Sequence, residues 1–198
     1  MIHFASDNHF GHANIIKFCK RPFDTVEEMD EEMIARWNEV VTVGDTVYYV
    51  GDFCLGGYDQ WQRYRNRLNG KILFVPSDHD HRWVKCVIGA CGITPLWILQ
   101  PLYVLRLGKR VSELTKGMPT DLHDIVLCHW MMRSWPRSHY GTWHIHGHHH
   151  RRAHLEFPGK VLNVAVDLHD FYPWSLDEVV AYMARQPNNT DYIGDRKK

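Results

Sequence analysis

The sequence predicts a layered α/β domain, on three observations. Short β-rich runs recur along the chain, each ending in polar or ionisable residues. Amphipathic helical segments lie between several of them. At 198 residues, with 44% hydrophobic and 23% charged side chains, the chain is long enough to bury one core and short for two.

Taken in order, Ile2 to Ala5 is a strand that runs into Ser6-Asp7-Asn8-His9. Thr25-Val26-Glu27-Glu28 has capping-box spacing. Val26, Met29, Met33, Trp37 and Val40 then recur at three- and four-residue steps, the stripe of a helix of about four turns. Thr46 to Val50 runs into Gly51-Asp52, with Asp45 read as a turn residue before it, and Lys71 to Val75 runs into Pro76-Ser77-Asp78-His79-Asp80. Trp97 to Leu107 reads as one or two strands and Gly108 to Asp124 as a polar loop. Asp124 to Cys128 delivers His129, and Thr142 to His146 delivers Gly147-His148-His149-His150. Ser175 caps a last helix carrying Leu176, Val179, Val180 and Met183. The domain is expected over residues 1–186, with 187–198 a loose polar tail. Strands that each deliver polar residues at their C-terminal ends put a site along that edge.

Lys plus Arg and Asp plus Glu both number 23, so the net charge is zero. There is then no bulk attraction for nucleic acid or an anionic membrane. A nuclease is the third reading only; its candidate basic strips are Lys17, Lys20 and Arg21, or Arg151 and Arg152. The five cysteines form no C-x-x-C pair, which suits a reducing interior. No apolar run approaches the ~18 residues of a membrane span, and the opening Met1-Ile2-His3-Phe4-Ala5-Ser6-Asp7 has no apolar leader. A soluble cytoplasmic protein is expected. Histidine, 15 of 198 residues, is the abnormal count.

The strand-end residues Asp7, His9, Asp52, Asp78, His79, Asp80, His129, His148 and His150 mix carboxylates with imidazoles and include no thiolate. That chemistry suits manganese, iron, zinc or nickel. Asp7 and His9, Asp52, His129, and His148 and His150 already supply more ligands than one tetrahedral ion uses; two ions bridged by a carboxylate would use them all.

Five motifs, Asp7-Asn8-His9, Gly51-Asp52-Phe53, Ser77-Asp78-His79-Asp80, Cys128-His129-Trp130 and Gly147-His148-His149-His150, stand in this order from the first residues to position 150. In that order they resemble the calcineurin-like metallophosphoesterases, above all the small single-domain bacterial and phage members. The resemblance implies a four-layer αββα sandwich, two mixed β-sheets flanked by helices, with the metal site at strand C-terminal ends. It implies that Asp7, His9 and His150 hold one divalent ion, that Asp52 bridges, and that Asp78, His129 and His148 hold a second. Manganese is the ion it favours; iron, zinc or nickel fit the same ligands. The implied activity is hydrolysis of phosphate mono- or diesters by a hydroxide bridging the metals. His79 would protonate the leaving oxygen, and Asp80 would orient His79 through its other ring nitrogen. The implied substrate is a phosphorylated small molecule or nucleotide-type compound, with no membrane partner.

One motif departs from the family, whose third motif reads Gly-Asn-His followed by Asp or Glu. Here Ser77 replaces the glycine and Asp78 the asparagine. Asparagine is a neutral oxygen ligand; aspartate adds a charge and only accepts hydrogen bonds. Two divalent ions with Asp7, Asp52 and a hydroxide would keep one net positive charge, and ionised Asp78 would cancel it. The second ion is then expected to bind more tightly, a phosphate dianion more weakly, and the pKa of metal-bound water to rise. Asp78 also supports an alternative reading, a catalytically weakened metal protein that holds a phosphorylated ligand or partner.

Other residues carry blander readings. His146 and His149 alternate in direction with the ligands and are read as packing or solvent-facing. His12 and Asn14 are candidate substrate contacts, and Arg21 and Arg133 candidate phosphate partners. Trp130 and Trp135 are candidates for the floor of a ring-binding pocket. His3, His81, His123, His139, His144, His154 and His169 match no motif.

Overall fold

Parallel pairing sets the frame. The structure, a computed structural model, describes residues 1–107, 124–151 and 159–189. In chain order the elements are β1 (Ile2–Ala5), α1 (Ala13–Cys19), α2 (Val26–Val40), β2 (Thr46–Tyr49), α3 (Tyr58–Arg65), β3 (Lys71–Phe74), α4 (His81–Cys91), β4 (Leu102–Leu105), β5 (Ile125–Cys128), β6 (Trp143–His146), β7 (Val161–Asn163), β8 (Trp174–Ser175) and α5 (Leu176–Met183). One sheet has the order β3-β2-β1-β8, with β1, β2 and β3 parallel and β8 antiparallel. The other has the order β4-β5-β6-β7, with β5, β6 and β7 parallel and β4 antiparallel. The chain is therefore a mixed α/β protein with two mixed four-stranded sheets, as an α/β sandwich requires.

Register decides where the site forms. Ala5, Tyr49 and Phe74 stand level across β1, β2 and β3, so all three strands release their next residues at one edge. In the second sheet β5 and β6 end likewise, with Leu127 opposite Ile145. A bridge between Ser6 and Ala165 ties the exit of β1 to the chain just beyond β7. The C-terminal edges of the two sheets thus meet.

Alternation along the strands divides the core into two. Ala5, Val47, Tyr49, Ile72 and Phe74 face helices α1 to α4, where Ile15, Met29, Met33, Trp37, Trp61, Tyr64 and Trp83 cover them. Phe4, Val50 and Val75 face the second sheet, sharing a core with Ile125, Leu127, Ile145 and Leu162 and with Leu176, Val179, Val180 and Met183 of α5. The outer face of the second sheet buries His144 and His146, and Trp135 packs on His144 at 5.4 Å between ring centroids.

Local chemistry explains the helix ends. Thr25 accepts from the Glu28 amide and starts α2. Ser175 and Glu178 form a full capping box at α5. Helices α1, α3 and α4 lie where the sequence shows no apolar stripe, each burying only one or two residues. In α4 only Trp83 and Val87 are buried, too few positions to show a period. Between Trp97 and Leu107 only Leu102–Leu105 is a strand, and Ile98 makes a single bridge to Phe74. The expected loose tail begins docked: Asn189 is buried and donates to the Arg133 carbonyl at 3.1 Å. The readings at 108–123, His154, Arg152 and 190–198 lie outside the described residues. No described helix is long and apolar enough to cross a membrane.

An aromatic stack locks α3 and α4 to the first sheet. Trp61 stacks on Trp83 and Trp97, with centroids at 5.4 and 5.1 Å, and Phe74 meets Trp83 edge-on at 5.1 Å. Trp83→Ala is expected to cost about 3–5 kcal/mol, measured by urea denaturation. Trp83→Phe should keep most of the packing and lose roughly 1.5–3 kcal/mol with the indole's hydrogen bond to the Asp80 carboxylate.

Candidate metal centre

The cluster starts from backbone conformation. Asp7, His9, Asp52, His148 and His150 all have positive φ, from 45° to 72°. Asp and His tolerate this region better than most side chains, yet it still costs roughly 1–2 kcal/mol per residue. These turns fold each strand exit back, so that ligands two apart face a common centre. Two glycines let the exits approach. A Cβ on Gly51 would collide with the His129 ring, and one on Gly147 with the Asp7 carboxylate.

Asp52 lies at the middle. Its Oδ2 is 3.3 Å from His9 Nε2 and 3.4 Å from His129 Nε2. Both nitrogens are buried and lack a hydrogen-bond partner among the described residues. The Asp52 Oδ1 side is taken by the Ser77 hydroxyl. His150 Nε2 lies 3.6 Å from Asp7 Oδ1. Ligand atoms of Asp7, His9 and His150 fall within 4.8 Å of one another, as do those of Asp7, Asp52 and His129 and those of Asp52, Asp78 and His79. His148 stands beside His129, with ring centroids 5.2 Å apart, and its backbone N–H donates to both Asp7 oxygens at 3.1 Å. All seven expected metal ligands and His79 are thus brought together from five strand exits.

Electrostatics within the cluster are uneven. Burial lowers His9 to about 3, so it is neutral and makes no ion pair with Asp52. Burial would also lower His129 and His150, but carboxylates outweigh it. Asp52 and Asp7 raise His129 to about 9, and Asp167 with Asp7 raises His150 to about 10. Burial raises Asp7; Asp52 is held below the usual carboxylate range because the charged His129, helped by the Ser77 hydroxyl, overcomes its burial. Neither carboxylate is paired with a lysine or arginine side chain among the described residues. Two buried carboxylates and two unbonded imidazole nitrogens aimed at one oxygen are a donor set that divalent cations fit. Such cations would have to displace the protons on His129 and His150. Apparent Mn²⁺ affinity is therefore expected to rise about tenfold per pH unit for each proton displaced. The rise should flatten as the pH passes about 9 and then about 10. Calorimetric titration at several pH values measures this, and a flat profile would contradict it.

No family model matches the chain. Over 186 residues it is 32% identical to the uncharacterized protein MJ1445 of Methanocaldococcus jannaschii, covering 90% of this chain and 89% of that one. The chain belongs to the MJ1445 family. The crystal structure of AQ665, a protein of unknown function from Aquifex aeolicus, matches with a TM-score of 0.64 over 92% of this chain and 98% of that one. At 21% identity this likeness carries the fold alone.

In this MJ1445-family protein Asp80 does not orient His79. Its buried carboxylate is saturated: Oδ2 accepts from the Asp52 and Ser77 amides at 3.0 Å, and Oδ1 from the Phe53 amide at 3.0 Å and the Trp83 indole at 2.9 Å. Asp80 instead holds the loop that carries Asp52. His79 is exposed and makes no hydrogen bond among the described residues; its ring lies 5.9 Å from that of His9. Asp80→Asn should destabilise the protein by about 1–3 kcal/mol, read by denaturation. Wild-type stability of that variant would contradict the anchoring role of Asp80.

Arg21 does not face a substrate either. It is buried, donating from Nε and an NH₂ group to both oxygens of Asp167 at 2.9 Å, and to the carbonyls of Asp7 and Asn8 at 2.6 and 2.7 Å. Asp167, absent from the sequence reading, also bonds His150 Nδ1 at 2.7 Å. The available signal was an acid closing the apolar run Val164-Ala165-Val166. Trp135 is buried, its indole donating to the Thr142 carbonyl, whereas Trp130 is exposed beside His129. His12 is partly exposed and its ring is 5.8 Å from that of His9. His146 is buried with Nδ1 at 2.8 Å from the Gly147 carbonyl.

Proposed function

We propose that this protein is a metal-dependent phosphoesterase of the calcineurin-like type. In this reading Asp7, His9 and His150 hold one divalent ion, Asp52 bridges, and Asp78, His129 and His148 hold the second, manganese being favoured. The four-layer order of that family belongs to the same proposal. The observation that carries it is Asp52 Oδ2, flanked by two unbonded imidazole nitrogens at 3.3 and 3.4 Å while its other oxygen is taken by Ser77. One carboxylate oxygen between two such donors is what a bridging ligand needs. When bound, divalent ions there would supply positive charge for phosphoryl oxygens and lower the pKa of a water.

The chain's own residues do the rest. His129 Nδ1 bonds the Val50 carbonyl at 2.8 Å, which fixes its ring with Nε2 toward Asp52. His79, exposed beside His9 and grouped with Asp52 and Asp78, is positioned to give a proton to a departing alkoxide. Ser77 accepts from the Asp52 amide at 3.0 Å, a contact the family's glycine could not make. The substrate class is a phosphate mono- or diester of a small or nucleotide-type molecule.

Mn²⁺-dependent hydrolysis of bis(4-nitrophenyl) phosphate and 4-nitrophenyl phosphate tests this. Turnover should vanish with chelator and with Asp52→Ala. His79→Ala should slow esters of alkyl alcohols by about 10²–10⁴-fold and nitrophenyl esters far less, because nitrophenolate leaves without a proton. Absence of turnover with every divalent ion would contradict the proposal. One observation favours a second reading: Asp78 is an exposed carboxylate grouped with Asp52 and His79, adding negative charge where a phosphate would approach. If two ions bind and only Asp78→Asn turns over, the protein is a weakened metal-dependent binder.

A further inference from the structure

One guanidinium joins ligands from the two sheets. Arg21 lies on the chain just after α1. Its side chain, like that of Asp167, is fully buried. Two of its N–H donors meet Asp167 as a fork, and two more reach the carbonyls of Asp7 and Asn8. Asp167 then accepts from His150 Nδ1 at 2.7 Å, a bond that fixes the ring with Nε2 pointing at Asp7, 3.6 Å away. The first ligand segment, leaving β1, and the last, leaving β6, are thereby held in register by one buried ion pair.

Cys19, His150 and Asp167 also offer ligand atoms within 4.8 Å of one another. A cation between them would sit against the guanidinium that already neutralises Asp167. The pair therefore serves His150 rather than a separate ion. A charged partner on the far nitrogen fixes the tautomer of a ligating imidazole and strengthens it as a donor. Asp78, His79 and His148, by contrast, have no side-chain hydrogen bond among the described residues.

We infer that Arg21 and Asp167 are positioning residues for a divalent cation at Asp7, His9 and His150. They set His150 to carry its proton on Nδ1 and to coordinate through Nε2. This rests on the metal site proposed above but not on any ester being hydrolysed. An intact metal isotherm without turnover sinks the phosphoesterase reading and leaves this one standing.

The test uses the full chain, stripped of metal and titrated with Mn²⁺ while free Mn²⁺ is followed by electron paramagnetic resonance. The Zn²⁺-loaded protein is examined by long-range ¹H–¹⁵N NMR of its imidazoles. Asp167→Asn is expected to weaken one Mn²⁺ equivalent by about 10–100-fold and leave the other near wild type. Arg21→Lys, which keeps the charge but loses the fork, should weaken the same equivalent and covers the case in which Asp167→Asn fails to fold. His150 in the wild type should show a protonated Nδ1. A wild-type proton on Nε2, unchanged affinity in folded variants, or equal weakening of both equivalents would overturn the inference.

Discussion

Backbone that a side chain must be compelled to adopt underlies this site. Five of its ligands sit in the left-handed region, where each costs energy that the surrounding structure has to offset. Each strained turn is held by a buried charged group. Asp80 accepts the amides of Asp52 and Phe53. Arg21 binds the carbonyls of Asp7 and Asn8. Asp7 itself accepts the amide of His148. These groups in turn depend on the cores: Asp80 is anchored by Trp83 in the aromatic stack, and Arg21 lies among Met29 and Met33 of α2. Packing far from the ligands therefore fixes their geometry.

The charge distribution supports the same view. Among the described residues the buried carboxylates of Asp7 and Asp52 are paired with imidazoles rather than with guanidinium or ammonium groups, while a fully buried arginine–carboxylate fork lies behind them, at Asp167. Permanent positive charge is supplied where it holds the scaffold, and at the centre only titratable imidazoles carry it. A cluster built this way has an unmet demand for cations, and protons on His129 and His150 meet part of it in their place.

Much of this was legible in the sequence. The five strands that deliver ligands were readable because each is a short apolar run stopped by Gly, Pro, Ser or an ionisable residue, and α2 and α5 because their caps and stripes agree. The candidate ligands were readable as ordered motifs. The helices between motifs were not: α4 buries two residues, and α1 is a seven-residue helix with one, so neither leaves a periodic trace. The roles of Asp80 and Arg21 are not legible in the chain, because burial rather than sequence position decides their partners. Asp80 is next to His79 in the chain but faces the Asp52 loop, and Arg21 looks like a surface cation but closes on Asp167. Asp167 follows no motif, and only the meeting of the two sheets reveals it.

The most direct measurement is anomalous scattering at the manganese edge from crystals grown with saturating Mn²⁺. The account predicts two peaks, on either side of the Asp52 carboxylate and bridged by it, one against Asp7, His9 and His150. A single peak, or peaks away from Asp52, would contradict it.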